Sequence, residues 1–284
     1  MKTSSFLLNA DAIQALLPSP RRIGREILVL EETTSTNDVA AQLGRAGAAE
    51  GAVIFAERQT AGRGRLQRKW ESLAHKGLWF SLLLRPAWAF ADWSRLTTWA
   101  AVGVARGLEE ALPDCHAAIK WPNDIYLAGK KTVGILCESA AGPGGYAVVG
   151  IGVNVNHVRA DFPEDLRDRA TSLCEAVGPN STPLDRIAVA AAMLRNLDAL
   201  YPALESDFAS VVAEAQFRSF LMGHRITLRG ALEHGTTSEA TAEALEPDGS
   251  LRVRLDNGET QIVSGGEVSV SVSIPQTPQV RKEP

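Results

Sequence analysis

Residues 52–85 read AVIFAERQTAGRGRLQRKWESLAHKGLWFSLLLR. The apolar runs Ala52–Glu57 and Leu78–Arg85 each predict a buried strand. Between them, Gln59–Lys69 contains two glycines and a cluster of cations over Arg63–Lys69, which a folded interior would not tolerate. The sequence therefore predicts two core strands joined by a basic loop.

The segments around this pair alternate between helix and strand patterns. Predicted helices cover Ala10–Leu17, Val39–Leu43, Trp93–Leu112, Pro183–Leu200 and Glu205–Leu221, and predicted strands cover Ile27–Leu30, Ala117–Trp121, Ile125–Leu127, Thr132–Glu138 and Tyr146–Val155. Ser35, with Asp38 in the first turn, fits the N-cap of the second helix. Together these elements predict an α+β fold, a mixed β-sheet flanked by helices.

The pattern changes at Gly223. Short alternating runs follow, separated by Asp248-Gly249 and Asn257-Gly258, which are strong hairpin signals. They predict a small C-terminal all-β barrel. We therefore divide the chain into an N-terminal extension (1–24), a main domain (25–222), the β domain (223–273) and a disordered tail (274–284).

Composition narrows the class of protein. The net charge of -4 and pI of about 5.8 lack the basic excess of proteins that bind nucleic acid nonspecifically, so we expect no nucleic-acid partner. The three cysteines are an odd number without close spacing, so they give no disulfide framework and no zinc signature. The chain carries no uninterrupted apolar run of about 18 residues, so we expect no membrane insertion and a cytoplasmic location.

The basic loop predicts an anion clamp. Guanidinium groups pair with carboxylates and phosphates, and glycines let main-chain amides approach an anion. A solvated surface loop is the alternative. The segment Gly62–Gln67 is not a dinucleotide fingerprint, because Gln67 stands where a third small residue is needed, and no P-loop motif occurs.

Three further motifs carry polar residues at strand ends: KWPND (120–124), GKKTVGIL (129–136) and GIGVNVN (150–156). Asn123 and Asp124 suit chemistry at a strand end, or else cap a turn. A lysine of the second motif could point at an anion, with Gly134 admitting a ligand, or it could belong to a plain hairpin. Asn154 of the third could bind a base or ribose, or cap its own strand.

Taken in order, these motifs together with SerThrAsn (35–37) and ArgLysTrp (68–70) closely resemble biotin–protein ligase, from about Ile27 to Val272. The resemblance implies the class II synthetase-like catalytic domain of the biotin and lipoate ligases, with the small β domain behind it. The motifs GRGR and KWPND are highly specific to that family.

The resemblance also implies roles for individual residues. The ring ureido group of biotin would be held by Ser35, Thr36, Asn37 and Gln59, whose side chains offer both donors and acceptors. The loop that orders over biotin and adenylate carries over as Arg63, Gly64 and Arg65.

The biotin carboxylate and the α-phosphate would meet Lys131, or its neighbour Lys130, beside Gly134. The nucleotide would contact Arg63, Arg65, Arg68, Trp70, Asn123 and Asn154, with Trp70 covering the adenine.

In the implied reaction, the biotin carboxylate attacks the α-phosphorus of ATP and pyrophosphate leaves. Two anions must meet, so Arg63, Arg65, Lys131 and Mg²⁺ would stabilise the charge. A lysine of a biotin carboxyl carrier domain then attacks the mixed anhydride. Asp124 would orient that lysine or bind the Mg²⁺. The oligomeric state is open between monomer and homodimer.

The chain departs from the family pattern at Leu66 and Gln67, where arginine and glycine are usual. We expect this to affect loop closure and leakage of adenylate more than activity. The sequence also resembles the short, monofunctional type without a DNA-binding domain. The alternatives are a lipoate or octanoate ligase of the same fold, a biotin-responsive DNA-binding regulator, and an inactive biotin-binding module.

Overall fold

The structure is a computed structural model that describes residues 7–178, 181–229 and 237–270. The chain forms two compact units. The first contains residues 1–220 with Pro247–Gly249, and the second contains Leu221–Glu246 with residues 250–284. The predicted disordered tail, 274–284, lies outside the described residues.

The first unit is built on a seven-stranded mixed sheet, as predicted. Its order is β1-β2-β3-β7-β6-β5-β4, with β1 parallel to β2 and every other recorded pair antiparallel. The strands are β1 (Glu26–Thr33), β2 (Ala52–Gln59), β3 (Gly77–Leu84), β4 (Ala118–Lys120), β5 (Asp124–Leu127), β6 (Lys130–Ala140) and β7 (Tyr146–Asn154). All eight residues of β3 are buried, so the sheet is covered on both faces at its centre.

Helices cover the sheet. They are α1 (Ala10–Ala15), α2 (Thr36–Arg45), α3 (Arg95–Ala111), α4 (Leu173–Val177), α5 (Arg186–Leu200), α6 (Ala203–Ser206) and α7 (Phe208–Phe217). Helix α2 connects the parallel pair β1 and β2 and packs on β2, β3 and β7. Helix α3 packs closely on α5, because a Cβ at Gly103 or Gly107 would lie 2.7 or 2.5 Å from atoms of α5.

The predicted elements are present, with three differences. The C-terminal helical stretch is divided into α6 and α7, since Asp207 leaves helical geometry and caps α7 through its side chain. Helix α4 was not predicted, because it is a single short turn capped by Ser172. Residues 7–24, predicted as an extension, belong to the first unit, where α1 packs on α5 and β1.

A buried ion pair joins β2 to α5. Arg186 donates from both terminal nitrogens to Glu57, at 2.7 and 3.0 Å, and both side chains are almost fully buried. The amide of Leu8 also donates to Glu57, at 2.7 Å. Burial raises the pKa of Glu57, but the bonds from Arg186 and Leu8 outweigh it and hold this pKa below its ordinary value. The pair therefore anchors the N-terminal segment and α5 to the central sheet.

The second unit is all-β, as predicted. Its strands are β8 (Arg225–Arg229), β9 (Thr237–Leu245), β10 (Leu251–Leu255), β11 (Thr260–Val263) and β12 (Glu267–Val270). Their order is β11-β10-β9-β8-β12, with antiparallel pairing throughout. Gly249 and Gly258, which lie in turns, both have positive φ, as the Asp-Gly and Asn-Gly signals predict.

One described segment, Arg186–Ser206, is long and apolar enough to span a membrane by length and composition alone. More than half of its most apolar window is buried inside the protein, where α5 packs on α3. A core helix of a globular domain has the same properties, so the apolar character of α5 is explained by its packing.

Candidate active site

The strand register creates a strip of glycines across one face of the main sheet. Gly150 pairs with Ser81 on one side and Leu136 on the other, and Gly152 pairs with Trp79 and Gly134. Residues 150 and 152 share a face because strand side chains alternate. The strip therefore opens room on the sheet where larger side chains would otherwise stand.

Three of the residues predicted to hold the ureido group occupy one hydrogen-bonded cluster above Gly150. The amide of Thr36 donates to Gln59 Oε1 at 2.8 Å. Asn37 Nδ2 donates to Glu138 Oε2 at 2.6 Å, and the Ser81 hydroxyl lies 2.6 Å from Asn37 Oδ1 and 2.7 Å from Thr36 Oγ1. The structure thus brings Thr36, Asn37 and Gln59 together.

Ser35 occupies the N-cap position of α2, as predicted, but its side chain makes no capping hydrogen bond. Thr34 Oγ1 bonds to Asp38 instead, at 3.2 Å. The Ser35 hydroxyl, in a buried residue next to Thr36, is therefore not engaged by the first turn of the helix.

The basic loop folds into a short hairpin. Gly64 N donates to Arg68 O at 2.7 Å and Trp70 N donates to Gly62 O at 2.9 Å. At its tip, Leu66 and Gln67 have φ of 55° and 61°. Side chains with a Cβ are strained in this left-handed region, where glycine is favoured. The departure from the family pattern therefore falls on the most strained turn of the loop.

Arg63 lies at the end of the site that was predicted to hold the ureido group. Its guanidinium bonds Asp38 Oδ1 at 2.8 Å and Glu138 Oε2 at 3.2 Å. Partial burial lowers the pKa of Arg63, but the two carboxylates outweigh it and raise this pKa above its ordinary value. The side chain therefore joins the cluster around Asn37 in this structure, and the two acids offset its charge.

Arg65 and Lys131 define a second cluster at the other end. Arg65 Nη1 donates to Asn123 Oδ1 at 3.0 Å, and Lys131 Nζ lies 2.7 Å from Asp124 Oδ1. Asn123 is itself fixed by a 2.8 Å bond to Ile135 O. The KWPND motif and the lysine of β6 therefore converge, as the predicted set requires.

The register separates Lys131 from Lys130. Adjacent residues of a strand point to opposite faces. The Lys131 ammonium pairs with Asp124 and lies 5.4 Å from the centre of the Trp70 ring. Lys130, in contrast, acts electrostatically on Asp168. Of the two candidates, Lys131 is the one that lies in the cluster.

Trp70 rests on the glycine strip. A Cβ at Gly134 or Gly152 would lie 2.7 or 2.6 Å from its ring. The ring meets Trp79 edge-on at 6.2 Å. Trp70 Nε1 is buried, and no acceptor among the described residues bonds it. The loop aromatic therefore lies over Gly134, which was predicted to line the biotin site, and over Gly152, with Nε1 left as a donor for a ligand. The predicted contact of Trp70 with adenine stays a prediction.

Asn154 is engaged in the fold. Its buried amide donates to Thr171 O at 3.1 Å and so caps the end of β7, which is the structural alternative considered for it. Arg68 follows the loop tip, and its backbone closes the hairpin with Gly64. The nucleotide contacts predicted for Asn154 and Arg68 stay predictions.

Sequence reasoning missed three residues of the site. Ser81 interrupts the apolar run of β3, and a hydroxyl in a core strand signals a buried polar partner. Glu138 stands on β6 and serves both Asn37 and Arg63. Ser72 accepts from Gln59 Nε2 at 3.1 Å and lies in the stretch after the loop, where no pattern marks it.

Comparison with known proteins places segments of both units in known domain families. Residues 29–156 match the model of the biotin/lipoate A/B protein ligase family, and residues 222–271 match the biotin protein ligase C terminal domain. The bifunctional ligase/repressor BirA of Bacillus subtilis is 36% identical over 245 residues, covering 85% of this chain and 73% of that protein. The chain belongs to the biotin/lipoate A/B protein ligase family.

Two further relatives cover the two units together. The biotin–[acetyl-CoA-carboxylase] ligase of Mycobacterium tuberculosis is 32% identical over 86% of this chain and 88% of its own length. The biotin protein ligase of Aquifex aeolicus, solved in complex with biotin and ATP, superposes with a TM-score of 0.72 at 28% identity. That match covers 87% of this chain and all of the Aquifex chain.

Proposed function

We propose that this protein is an ATP-dependent biotin–protein ligase that uses the two clusters as the two ends of one substrate site. It activates biotin as biotinyl-5′-AMP with release of pyrophosphate. It then transfers the biotinyl group to a specific lysine of a biotin carboxyl carrier domain. Family membership and the similarity to ligases named for this reaction support the assignment.

The observation that carries the proposal is the arrangement of the two clusters along the glycine strip. Amide and hydroxyl groups lie beside Gly150 on β7. The ion pair of Asp124 and Lys131 lies beside Gly134 on β6, which pairs with Asp124 on β5. From β7 to β5 is two strand spacings, about 10 Å. A bicyclic urea with an extended acid arm fits a site with neutral polar groups at one end and cations at the other.

The first step joins two anions. The biotin carboxylate oxygen forms a bond to the α-phosphorus, and the bond from that phosphorus to the β-phosphate oxygen breaks. Lys131 and Arg65 lower the repulsion and stabilise the charge that develops in the transition state. Asp124 holds the Lys131 ammonium in place, and Asn123 does the same for Arg65.

The second step transfers the acyl group. The neutral amine of the acceptor lysine attacks the carbonyl carbon of the mixed anhydride, AMP leaves, and the nitrogen loses a proton. Loop closure, with Trp70 as a cover, would keep water from the anhydride in the meantime. Trp70 Nε1 would gain an acceptor from the bound ligand, since it has none among the described residues.

Mg²⁺ enters this proposal with the ATP phosphates. Among the described residues no group of three or more acidic, histidine or cysteine side chains could hold a metal ion. Magnesium typically uses one or two carboxylates together with substrate phosphates, and Asp124 would be such a carboxylate. The ion would shield phosphate charge during the first step.

We propose that a carboxylase carrier domain is the acceptor and that the protein acts only as a ligase. The match to 88% of a relative named for ligase activity alone supports this. The acidic net charge also supports a role without DNA binding. We further propose a location in the cytoplasm, which the three free cysteines support. A gel-shift assay with DNA from its own genome, with and without biotinyl-5′-AMP, should show no DNA retardation; retardation would support a regulator.

One assay tests the activity itself. The protein is incubated with ATP, magnesium and an apo carrier domain, with biotin or lipoate, and the carrier mass is measured. A gain of one biotinyl group with pyrophosphate release is expected. No gain, or a preferential lipoyl gain, would contradict the proposal.

The loop is tested by Arg65→Ala. This variant should lose biotinyl-5′-AMP on desalting where the wild type retains it, because the removed guanidinium no longer binds the adenylate. Retention equal to wild type would show that Arg65 does not clamp the adenylate.

A further inference from the structure

We propose that Glu138, Asn37 and Ser81 form a directional chain of hydrogen bonds that fixes the Thr36 hydroxyl as an acceptor. The site is then restricted to acids whose ring presents an N–H donor. This inference rests on the proposed function, and it assigns specificity to Ser81 and Glu138, which touch Thr36 and Asn37 and not the reacting atoms.

The chain of hydrogen bonds starts at Glu138. A carboxylate paired with Arg63 offers only acceptors, and Glu138 Oε2 lies 3.2 Å from Arg63 Nη2. The group of Asn37 that faces it at 2.6 Å must therefore be the NH₂. The carbonyl oxygen of Leu136, 3.4 Å from the same nitrogen, requires the same orientation.

The second hydrogen bond of this chain joins Ser81 to Asn37. With its NH₂ toward Glu138, Asn37 presents Oδ1 to the Ser81 hydroxyl at 2.6 Å. An amide oxygen accepts only, so the single proton of Ser81 is donated to Asn37. Ser81 is fully buried in the centre of β3.

The direction ends at Thr36. The oxygens of Ser81 and Thr36 are 2.7 Å apart, a contact that needs a proton between them. Because the Ser81 proton is already used, the proton must come from Thr36. Gln59 Oε1, which accepts the Thr36 amide at 2.8 Å, is a second and longer acceptor for the Thr36 hydroxyl, at 3.2 Å. The hydroxyl has a single proton, and either acceptor takes it. The Thr36 oxygen keeps only lone pairs for a ligand.

This polarity distinguishes acids within a family named for both biotin and lipoate. A cyclic urea has N–H groups that can donate to Thr36. Lipoate and simple fatty acids have no N–H at all, and would leave a buried acceptor without a partner. A site that bonds a particular donor strongly rejects analogues that lack this donor, because the buried acceptor in the site is then left desolvated without a partner.

The test compares biotin with its two cyclic carbamate analogues, in each of which one ring N–H is replaced by oxygen. Wild-type protein should prefer biotin, measured as kcat/KM for pyrophosphate release. Ser81→Ala removes the nearer partner of the Thr36 hydroxyl and leaves it only the longer contact with Gln59, so the hydroxyl can rotate and donate to a ligand. The preference for biotin over the more strongly rejected carbamate should then fall about tenfold, while KM for ATP stays within about twofold.

Ser172→Ala is the matched control. Ser172 is also a fully buried serine with two hydrogen bonds, to His157 O and from Glu175 N, and neither partner belongs to the two clusters. Its preference ratio should equal that of wild type even if its stability falls. A general loss of packing would lower both kcat/KM values in the same proportion and leave their ratio unchanged.

Glu138→Gln provides a second measurement if Ser81→Ala does not fold. Its side chain is 43% exposed and the change preserves size, but the new amide can donate as well as accept. The preference should fall at least about threefold, since Asn37 can then reverse. An unchanged ratio in a folded variant would overturn the proposal, whereas a wild type inactive with biotin would instead refute the function on which it rests.

Discussion

Gly150→Ala tests whether Asn37 is held above the glycine strip as described. A Cβ at Gly150 would lie 2.1 Å from Asn37 Oδ1, 2.9 Å from its Cγ and 3.0 Å from its Nδ2. The first two distances are shorter than real Cβ contacts and the third is tighter than most of them, so the amide must move. It cannot move without breaking bonds, since Ser81 and Glu138 hold its two ends at 2.6 Å each.

The cost follows from two contributions. Adding a methyl group to a packed core typically costs about 1–3 kcal/mol. Disturbing the two hydrogen bonds of Asn37 adds about 1 kcal/mol for each bond that is lost. We expect the free energy of unfolding to fall by about 2–4 kcal/mol, with biotin affinity weakened at least about tenfold because the displaced amide disturbs Thr36.

The assay is urea unfolding followed by tryptophan fluorescence, combined with calorimetric titration of biotin. Gly265→Ala serves as control, because a Cβ there meets nothing within 4 Å and stability should not change. If Gly150→Ala lost less than about 0.5 kcal/mol and bound biotin normally, Asn37 would not occupy this position and the cluster described here would be wrong.

Three further predictions test other parts of the structure. Burial lowers the pKa of His157 to about 4, so below pH 6.5 the unfolded chain binds a proton that the folded state excludes. The free energy of unfolding should therefore fall by up to about 3 kcal/mol between pH 6.5 and pH 4. Urea unfolding across that range should show that His157→Phe removes this loss. Lys131→Gln should slow pyrophosphate release about 10²- to 10³-fold, whereas Lys130→Gln should change it less than about threefold; equal effects would contradict the register argument. Gln67→Gly should relieve the left-handed turn at φ 61° by about 1 kcal/mol and slow trypsin cleavage of the ligand-free loop, and faster cleavage would show that the turn is not the populated one.

Much of the fold followed from pattern alone. Strands such as β3 and β7 are largely apolar runs, and α3 has clear helical spacing, so the local sequence pattern was sufficient to predict them. The division between α6 and α7 was not predicted, because it depends on one residue, Asp207, whose backbone leaves helical geometry. The hairpin form of the basic loop was also not predicted, since its closure is a matter of backbone bonds between Gly62, Gly64, Arg68 and Trp70.

The candidate site divides along the same line. The sequence by itself determined which chemical groups are present: the SerThrAsn turn, the arginines of the loop, KWPND and Lys131 are each contiguous in the chain. Only the tertiary structure decided their partners. Strand register set Ser81 beside Gly150, and packing brought Glu138 against Asn37 and Arg63 across about 75 to 101 residues of chain. Hydrogen-bond direction depends on such neighbours in space, and no local pattern encodes it.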